Sequence, residues 1–381
     1  MQKALSNGAT FLTLNKLLRD EGLPSAQISA LLTQAELQQK ATPKFGRDAL
    51  QMLFTSAGLE QASRMTVADQ HAKRFITSGS ESVADLGCGV ASQSLAFANA
   101  GLDVHSVEID KLTALIARHN LDVFEHQNTK LTHADAKDIP LTPDQAVFFD
   151  PARRTAGHKN TQRISYDSYA PALDFAFETA RKHGGAIKLG PGFPHEMIPN
   201  DVEAQWVSAN GSVLENVLWF GAQQRNNIKR SVLLLQGSKD NPQVHELAAD
   251  EAAKDAHSRA VGQYIYEPDG AVIRARLIGD VATEVGGGML DHNIAYITSD
   301  SYNHTHFATA FRILDEVPSK PKNLSKYLRA RRIGSLEIKK RGVNVDPQTL
   351  RKSLALKGEK HATIIMTRVG NKHTTYLVER I

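Results

Sequence analysis

The sequence is poor in the features that define disulfide-rich, zinc-binding and membrane proteins. Cysteine occurs once in 381 residues, as Cys88, so the chain can build neither a disulfide framework nor a cysteine-based zinc site. No apolar run approaches the roughly 18 residues of a membrane helix, and Met1–Arg19 lacks the pattern of a signal peptide. The 15 histidines form no metal-binding pattern. We therefore expect a globular protein of the reducing cytoplasm, with no membrane partner and no bound metal.

The composition is that of a folded protein with a slight positive charge. Hydrophobic residues make up 41% of the chain, which is enough for a substantial core. The formal net charge of +4 permits contact with an anionic polymer but does not demonstrate it. At about 150 residues per domain, the length predicts two or three domains.

The hydrophobic periodicity changes along the chain. Apolar residues at helical spacing predict an all-helical leading region over residues 1–79. From Ser82 onward, short apolar strands alternate with helices, which predicts parallel βαβ units over residues 80–240. The polar segment Gly237–Gln243 predicts a boundary, and a further mixed α/β region is expected over residues 241–381. The predicted fold class is therefore α/β.

A glycine-rich turn after the first predicted strand is the main signal for a cofactor site. Within Val83–Ala91, Gly87 allows a sharp turn and Gly89 lets the backbone approach a ligand, just before a helix begins. Asp85 precedes the turn, where a carboxylate suits an amino group or a cation and repels a pyrophosphate. Glu108 follows about 20 positions later, at the end of the next strand, where an acid can hold a ribose diol.

Two cofactors compete for this segment. A nicotinamide dinucleotide would need a third glycine where the chain has Ser92, and S-adenosylmethionine (SAM) explains Asp85 better, so SAM is favoured. Asp135 follows the third predicted strand and can accept a hydrogen bond from an adenine amino group, although an N-cap or turn role is an equally good interpretation. The predicted cofactor-binding residues are Asp85, Gly87, Cys88, Gly89, Glu108, Ile109, Asp135 and Ala136.

The segment after the fourth strand carries the candidate reacting groups. Ligands of doubly wound sheets bind beyond the carboxyl ends of the strands, so Asp150 is expected beside the transferable methyl group. Arg153 and Arg154 follow it and can hold a phosphate. Lys188 ends the fifth strand and precedes an apolar loop that faces the same edge. Asp150 and Lys188 are the predicted catalytic residues, and the two arginines are predicted substrate contacts.

These motifs resemble those of a known family. The segments DLGCG, VEID and FFDPARRT look like motifs of class I SAM-dependent methyltransferases, while LEIKKRGVNV and ATIIMTRVG resemble the THUMP-like domain that ends an uncharacterised bacterial family of methyltransferases. The chain departs from the usual glycine loop at Ala91, where a third glycine is common. The resemblance implies a Rossmann-like sheet, SAM as cofactor and an RNA substrate, either tRNA or rRNA.

A strongly basic stretch lies within the THUMP-like region. Residues 320–360 hold thirteen lysines and arginines against three acidic residues, which is the electrostatic pattern of phosphate binding. A solvated basic surface without a ligand is the alternative. Tyr327 is the single aromatic residue in the stretch, so the sequence does not indicate base stacking. The predicted RNA contacts are Lys339, Lys340 and Arg341.

The residue types limit which atom can be methylated. Attack on a pyrimidine C5 needs a cysteine thiolate on a later strand, and Cys88 lies in the glycine loop instead. Methylation of a base amino group is not indicated, because no aromatic residue follows Pro151 directly. Methylation of a ribose 2′-hydroxyl stays open, since Lys73, Asp150, Lys188 and Glu215 occur in a suitable order. A protein or small-molecule substrate, or a non-catalytic SAM-binding RNA-binding protein, is the alternative.

Overall fold

The computed structural model describes residues 10–153, 166–238, 241–251, 256–370 and 372–381. The described chain forms two compact units, which are treated separately below. The first unit holds the described residues up to Glu203 and the segment Asn216–Asn226, and the second holds Ala204–Glu215, Asn227–Gly237 and the described residues from Gln243 to Ile381. No helix in the described ranges is both long and apolar enough to cross a membrane.

The first unit begins with helices, as predicted. Thr10 caps the first of them, because its hydroxyl oxygen accepts a hydrogen bond from the Thr13 amide. The prediction of an all-helical leading region is wrong at residues 51–55, which follow the 3₁₀ turn Gly46–Leu50, because the Gln34 and Gln38 side chains hydrogen-bond to the backbone of residues 52 and 54. The leading helices are α1 (Phe11–Asp20), α2 (Ser25–Phe45), α3 (Ser56–Gln61) and α4 (Met65–Thr77).

A parallel sheet follows these helices. Its strands in the first unit are β1 (Ser82–Leu86), β2 (Asp103–Glu108), β3 (Thr129–His133), β4 (Gln145–Phe149) and β7 (Gly185–Leu189). The short β5 (Ala152–Arg153) and β6 (Tyr169–Ala170) pair with each other in a separate two-stranded antiparallel sheet. The pairing order β7–β4–β1–β2–β3 is parallel throughout, so the chain reverses its direction of winding between β1 and β4. Ligands of such sheets bind at this reversal point, beyond the carboxyl ends of the strands. The connecting helices are α5 (Ser92–Asn99), α6 (Lys111–Asp122) and α7 (Leu173–His183).

The leading helices share a core with the sheet. Phe45 and Phe54 pack in one buried cluster with Val90, Leu95 and Leu121, which follow the first two strands. This packing explains why the leading region belongs to the first unit. Compactness thus groups the chain differently from the predicted ranges 1–79, 80–240 and 241–381.

The second unit is mixed α/β, as predicted. The predicted boundary at 237–243 contains the end of one strand and the start of the next. Two short helices, Gly270–Ala275 and Ile278–Glu284, are separated where Arg276 adopts a positive φ of 60°. The later strands form a sheet in the order β13–β14–β12–β15–β18–β17–β16, which is antiparallel except for the β16–β17 pair. Strand β9 (Ser212–Phe220) begins in the second unit and ends in the first, where its last residues pair antiparallel with β7. The other strands lie wholly or mainly in the second unit and are β8 (Glu203–Ala209), β10 (Arg230–Ser238), β11 (Asn241–Ala249), β12 (Tyr264–Pro268), β13 (Gly288–Asp291), β14 (Ile294–Ser299), β15 (Ala308–Val317), β16 (Ile333–Lys340), β17 (Lys360–Val369) and β18 (Lys372–Arg380), and the helices are α8 (Gly270–Ala275), α9 (Ile278–Glu284), α10 (Pro321–Ala330) and α11 (Pro347–Leu354).

Candidate functional site

The glycine loop joins β1 to α5 at the reversal point of the sheet. Gly87 and Gly89 have positive φ angles of 95° and 57°, which glycine adopts without strain. The amides of Gly87 and Cys88 both donate to the Val107 carbonyl, at 2.9 and 3.0 Å, and so hold the loop against β2. No atom of the described residues lies within 4 Å of the point where a β-carbon on Gly89 would stand, so this side of the loop faces open space.

Glu108 links the loop to the end of β2. Its Oε2 accepts a hydrogen bond from the Gly89 amide at 3.0 Å, and its Oε1 accepts one from the Asp110 amide at 2.9 Å. Each carboxylate oxygen has two lone pairs, so Glu108 can hold the loop and still accept a hydroxyl proton from a ligand. Two backbone amides therefore fix the orientation of the Glu108 carboxylate, which lines the cavity described below.

Asp85 lies beneath the loop, almost fully buried. Its Oδ2 accepts a hydrogen bond from the Ser94 hydroxyl at 2.5 Å, and Ser94 accepts one from the Ser106 hydroxyl at 2.8 Å. Its Oδ1 is buried and makes no hydrogen bond within the described part of the chain. Burial raises the pKa of Asp85 from 3.8 to about 7, against the opposing effect of the Ser94 hydrogen bond.

A cavity of about 530 Å³ opens at the carboxyl ends of β1, β2 and β4. Ile109 reaches it with a side chain that is 64% exposed, although Ile is an apolar residue. Asp135 lies on the same wall and also caps a short helical turn, because its Oδ1 accepts the Lys137 amide proton at 3.0 Å. From the sheet and its loops, the lining includes Gly87, Cys88, Gly89, Val90, Ser92, Val107, Glu108, Ile109, Thr113, Ala134, Asp135, Ala136, Lys137 and Asp150.

Asp150 and Lys188 meet at one end of the cavity. The Lys188 ammonium lies 2.5 Å from Asp150 Oδ2, and it donates to the Ser63 hydroxyl at 3.1 Å and to the Gln61 carbonyl at 3.3 Å. Lys188 is 12% exposed and Asp150 is 36% exposed, so the carboxylate is the member of the pair that is open to the cavity. Phe148 is buried in the strand before Asp150, as is its neighbour at position 149, so neither ring can stack on a base.

The leading helices supply a further wall that the sequence did not predict. Lys44 holds this wall, because its ammonium donates to the carbonyls of residues 59, 60 and 62 at 2.7–2.8 Å. Burial, with the nearby charge of Lys188, lowers the pKa of Lys44 to about 8. No sequence motif marks these residues, since their distance from the glycine loop along the chain hides their contact with the cavity. They are Thr55, Ala57, Gly58, Gln61 and Ala62.

The structure brings most of the predicted site residues together. Seven of the eight predicted cofactor contacts line the cavity, and Asp85 is the one that lies behind it. Arg153 pairs through its backbone with Tyr169, and Arg154 lies outside the described residues. Lys73 is exposed on α4 and does not line the cavity, and Glu215 belongs to the second unit.

The predicted RNA contacts lie in the second unit at the end of β16. Lys339 is paired with Glu267 at 2.6 Å, and the guanidinium carbon of Arg341 lies 5.4 Å from the centre of the Tyr296 ring. Lys340 lies between them in sequence and is exposed. The three predicted contacts therefore do not share one surface, because neighbouring residues of a strand point to opposite faces.

Comparison with known proteins agrees with this fold. Two curated relatives, from the CDC 1551 and H37Rv strains of Mycobacterium tuberculosis, are each 29% identical over 342 residues, which is 88% of this chain and 91% of the relative. Both are named uncharacterized S-adenosylmethionine-dependent methyltransferases. This chain is similar to these SAM-dependent methyltransferases over most of its length. The predicted family, enzyme class and SAM cofactor are confirmed at this level.

Two further comparisons concern the fold and the carboxyl end. A crystal structure from Porphyromonas gingivalis W83, described as that of a proposed methyltransferase, has a TM-score of 0.76 at 21% identity and covers 94% of this chain and 91% of its own. It bears out the predicted α/β fold. The family model described as THUMP domain-like matches residues 308–380, which confirms the THUMP-like region of this methyltransferase relative.

Proposed function

We propose that this chain transfers the methyl group of SAM to a nucleotide of an RNA, either tRNA or rRNA, in the cytoplasm. The observation that carries the proposal is the cavity at the reversal point of the sheet, where a glycine loop, Glu108 and Asp150 face one space of about 530 Å³. Pockets of this size suit ligands as large as a nucleoside. An acidic wall of this kind also suits a cationic sulfonium compound better than a pyrophosphate.

The residues present fit SAM part by part. Glu108 would accept hydrogen bonds from the ribose hydroxyls. Ile109 would cover one face of the adenine, and Asp135 would accept a hydrogen bond from the adenine amino group. The open side of Gly89 leaves room for the aminoacyl end. Asp85 lies behind the loop, with one oxygen that has no hydrogen bond within the described ranges, so its negative charge would stabilise the ammonium and sulfonium charges from below.

Asp150 and Lys188 would position the methyl acceptor. Bound SAM supplies an electrophilic methyl group, and transfer to a nucleophile of the RNA then depends on alignment. Asp150 would accept a hydrogen bond from the acceptor's amino or hydroxyl group at the cavity wall. The Lys188 ammonium pairs with the Asp150 carboxylate and donates hydrogen bonds to the Ser63 hydroxyl and the Gln61 carbonyl, and a protonated amine has no lone pair with which to act as a base. We assign Lys188 the role of holding Asp150 in place.

The second unit supports RNA as the substrate. Its match to THUMP-like domains matters because THUMP domains bind RNA. Helices α10 and α11 bury leucines and leave basic residues exposed, so they present a positive surface to solvent. Such a surface suits the phosphates of an RNA backbone. The exposed basic residues of this surface are Lys322, Lys326, Arg329, Arg331, Arg332, Arg351, Lys352 and Lys357.

Labelled SAM tests the proposal. The purified full-length chain is incubated with SAM carrying a tritiated methyl group and with separate pools of RNA, protein and metabolites. We expect label in RNA, and mass spectrometry of nucleosides from a deletion strain should identify the missing modification. If label appeared in protein or metabolites alone, the substrate would belong to that pool and RNA would be rejected. If SAM bound but no pool were labelled, the chain would be a non-catalytic SAM-binding protein.

Two variants tie the result to this cavity. Glu108→Gln should weaken SAM binding by calorimetry, whereas Asp103→Asn, at the exposed start of the same strand, should not. Asp150→Asn should leave SAM binding within about threefold and lower the transfer rate by at least about a hundredfold. Equal transfer rates for wild type and Asp150→Asn would remove Asp150 from the mechanism.

A further inference from the structure

A second polar cavity, of about 810 Å³, lies entirely within the second unit. Its walls come from the ends of β12, β15, β16 and β18, the loop Tyr302–His306, and the turn after β8. We propose that this cavity binds one unpaired nucleotide of the RNA, with its phosphate on Arg341 and Arg380 and its base against Tyr302. This inference rests on the proposed function, since it names how that RNA is held.

Lysine and arginine outnumber aspartate and glutamate in the lining of the cavity by three to two, which gives it a small excess of positive charge. Lys339 and Glu267 neutralise each other across 2.6 Å. Asp269 keeps its negative charge, but its oxygens already accept hydrogen bonds from the Ala271 amide and the Ser208 hydroxyl. Arg341 and Arg380 line the cavity and have no carboxylate partner among the described residues. Two such guanidinium groups suit a phosphate, which they can bind in a bidentate manner.

An aromatic surface stands beside these arginines. Tyr302 is 39% exposed, and its ring packs with Tyr264 at a centroid distance of 5.9 Å, so one face has support from the protein. His306 also lines the cavity, and its ring is held in place because it stacks on His245 with centroids 3.5 Å apart and packs edge-on with His304 at 4.6 Å. Single-stranded nucleic acids are held by this combination of stacking rings and positive groups.

The loop that carries Tyr302 and His306 is held in one conformation. The buried Tyr266 hydroxyl donates to the Asn303 carbonyl at 3.1 Å and accepts the Asn303 amide proton at 2.9 Å. Asn303 also donates from its side chain to the Val285 carbonyl at 2.9 Å. Gln236 donates to the His306 carbonyl at 3.2 Å. A preorganised loop of this kind lowers the entropy lost on binding.

This site could not be recognised in the sequence, because its parts are far apart along the chain. Tyr302 and His306 precede the basic stretch, and Arg380 follows it. The basic surface of α10 and α11 can hold the backbone of a duplex, but the aromatic ring that those described helices contain, that of Tyr327, is covered by Arg331. The cavity adds what that surface lacks, which is a place for a base.

Binding of a fluorescein-labelled single-stranded RNA of about eight nucleotides, followed by fluorescence anisotropy with the full-length chain, tests the proposal. Tyr302→Ala should weaken binding by about tenfold, and Tyr302→Phe should stay within about twofold because the stacking ring remains. Arg341→Gln should weaken binding and lower the salt slope by about one. Lys372→Gln removes an exposed positive charge from the same strand as Arg380, outside the cavity, and should have little effect.

The outcomes separate this inference from the proposed function. Equal binding by wild type and Tyr302→Ala, or equal losses in Arg341→Gln and Lys372→Gln, would overturn the nucleotide site even if methyl transfer to RNA were normal. Weaker binding in Tyr302→Ala would support the site even if no RNA accepted a methyl group. A blunt RNA duplex should compete poorly, and equal competition would count against an unpaired nucleotide. Thermal unfolding like that of wild type is required of each variant, and Tyr302→Phe supplies the comparison if Tyr302→Ala does not fold.

Discussion

Replacement of Asp85 by asparagine should stabilise the fold while it weakens the cofactor site. Asp85 is buried, and its pKa is about 7 in the folded protein against an ordinary value of 3.8. Because the folded pKa is raised, the unfolded chain releases the proton first as the pH increases, and the free energy of unfolding falls between about pH 4 and pH 7. At about 1.4 kcal/mol per pH unit between the two values, the ionised carboxylate costs about 4 kcal/mol above pH 7.

The comparison of two pH values isolates this charge. The asparagine side chain in Asp85→Asn would keep an oxygen for the Ser94 hydroxyl but would bury an amide donor, which costs about 1–3 kcal/mol at every pH. The difference in unfolding free energy between variant and wild type should therefore increase by about 3 kcal/mol from pH 4.5 to pH 8. Urea denaturation at both pH values measures it, with Asp103→Asn as the exposed control.

The same variant should bind SAM more weakly at pH 8, because the buried negative charge beneath the loop is gone. In that case the buried Asp85 carboxylate lowers the stability of the wild-type fold but strengthens SAM binding, a trade-off that is common at binding sites. A difference between variant and wild type that is the same at pH 4.5 and pH 8 would refute the reasoning, because only the ionisation of Asp85 makes that difference depend on pH.

Three further substitutions test the construction of the cavity, each by urea denaturation. Ala91→Gly should raise the free energy of unfolding by up to about 1 kcal/mol, because Ala91 has a positive φ of 67°; a loss would mean that the methyl group packs. Gly58→Ala should lower it by about 1–2 kcal/mol, because the new carbon would stand 2.6 Å from Val90 Cγ1; no change would show that Val90 can move. Asn120→Ala should lower it by about 2–4 kcal/mol, because three hydrogen bonds to Leu53 and Val90 are lost, and Asn99→Ala, at an exposed helix end, is the control.

The sequence predicted those parts of the site that a local pattern of residues marks. Strand periodicity placed Asp85, Glu108 and Asp150 at the ends of three strands, and a parallel sheet necessarily brings such ends to one edge. Gly87 and Gly89 were predictable because a sharp turn with positive φ nearly requires glycine. Turns and strand ends can be predicted from a single sequence because they depend mainly on neighbouring residues.

What the sequence did not predict depends on contacts between distant segments. Residues 51–55 look helical by composition, but the side chains of Gln34 and Gln38 hold the backbone there in another conformation. Lys188 was predicted to be catalytic, but the fold places its ammonium between Asp150 and Ser63, and Ser63 is far away along the chain. In both cases a polar side chain finds its partner far away along the chain, and neither propensity nor spacing records such a pairing.

The wall that the leading helices contribute to the cavity argues against treating these helices and the sheet as separate domains. Lys44 and Lys188 bind backbone carbonyls of the same segment, residues 59–62, from two separate elements, and Asn120 ties residue 53 to the glycine loop. That segment lines the cavity, so the leading helices fix the shape of the cofactor site and the position of Asp150 through Lys188. A sheet without them would expose the apolar cluster around Val90 and lose one wall of the cavity. Under the proposed function, the leading helices therefore belong with the sheet in one catalytic unit.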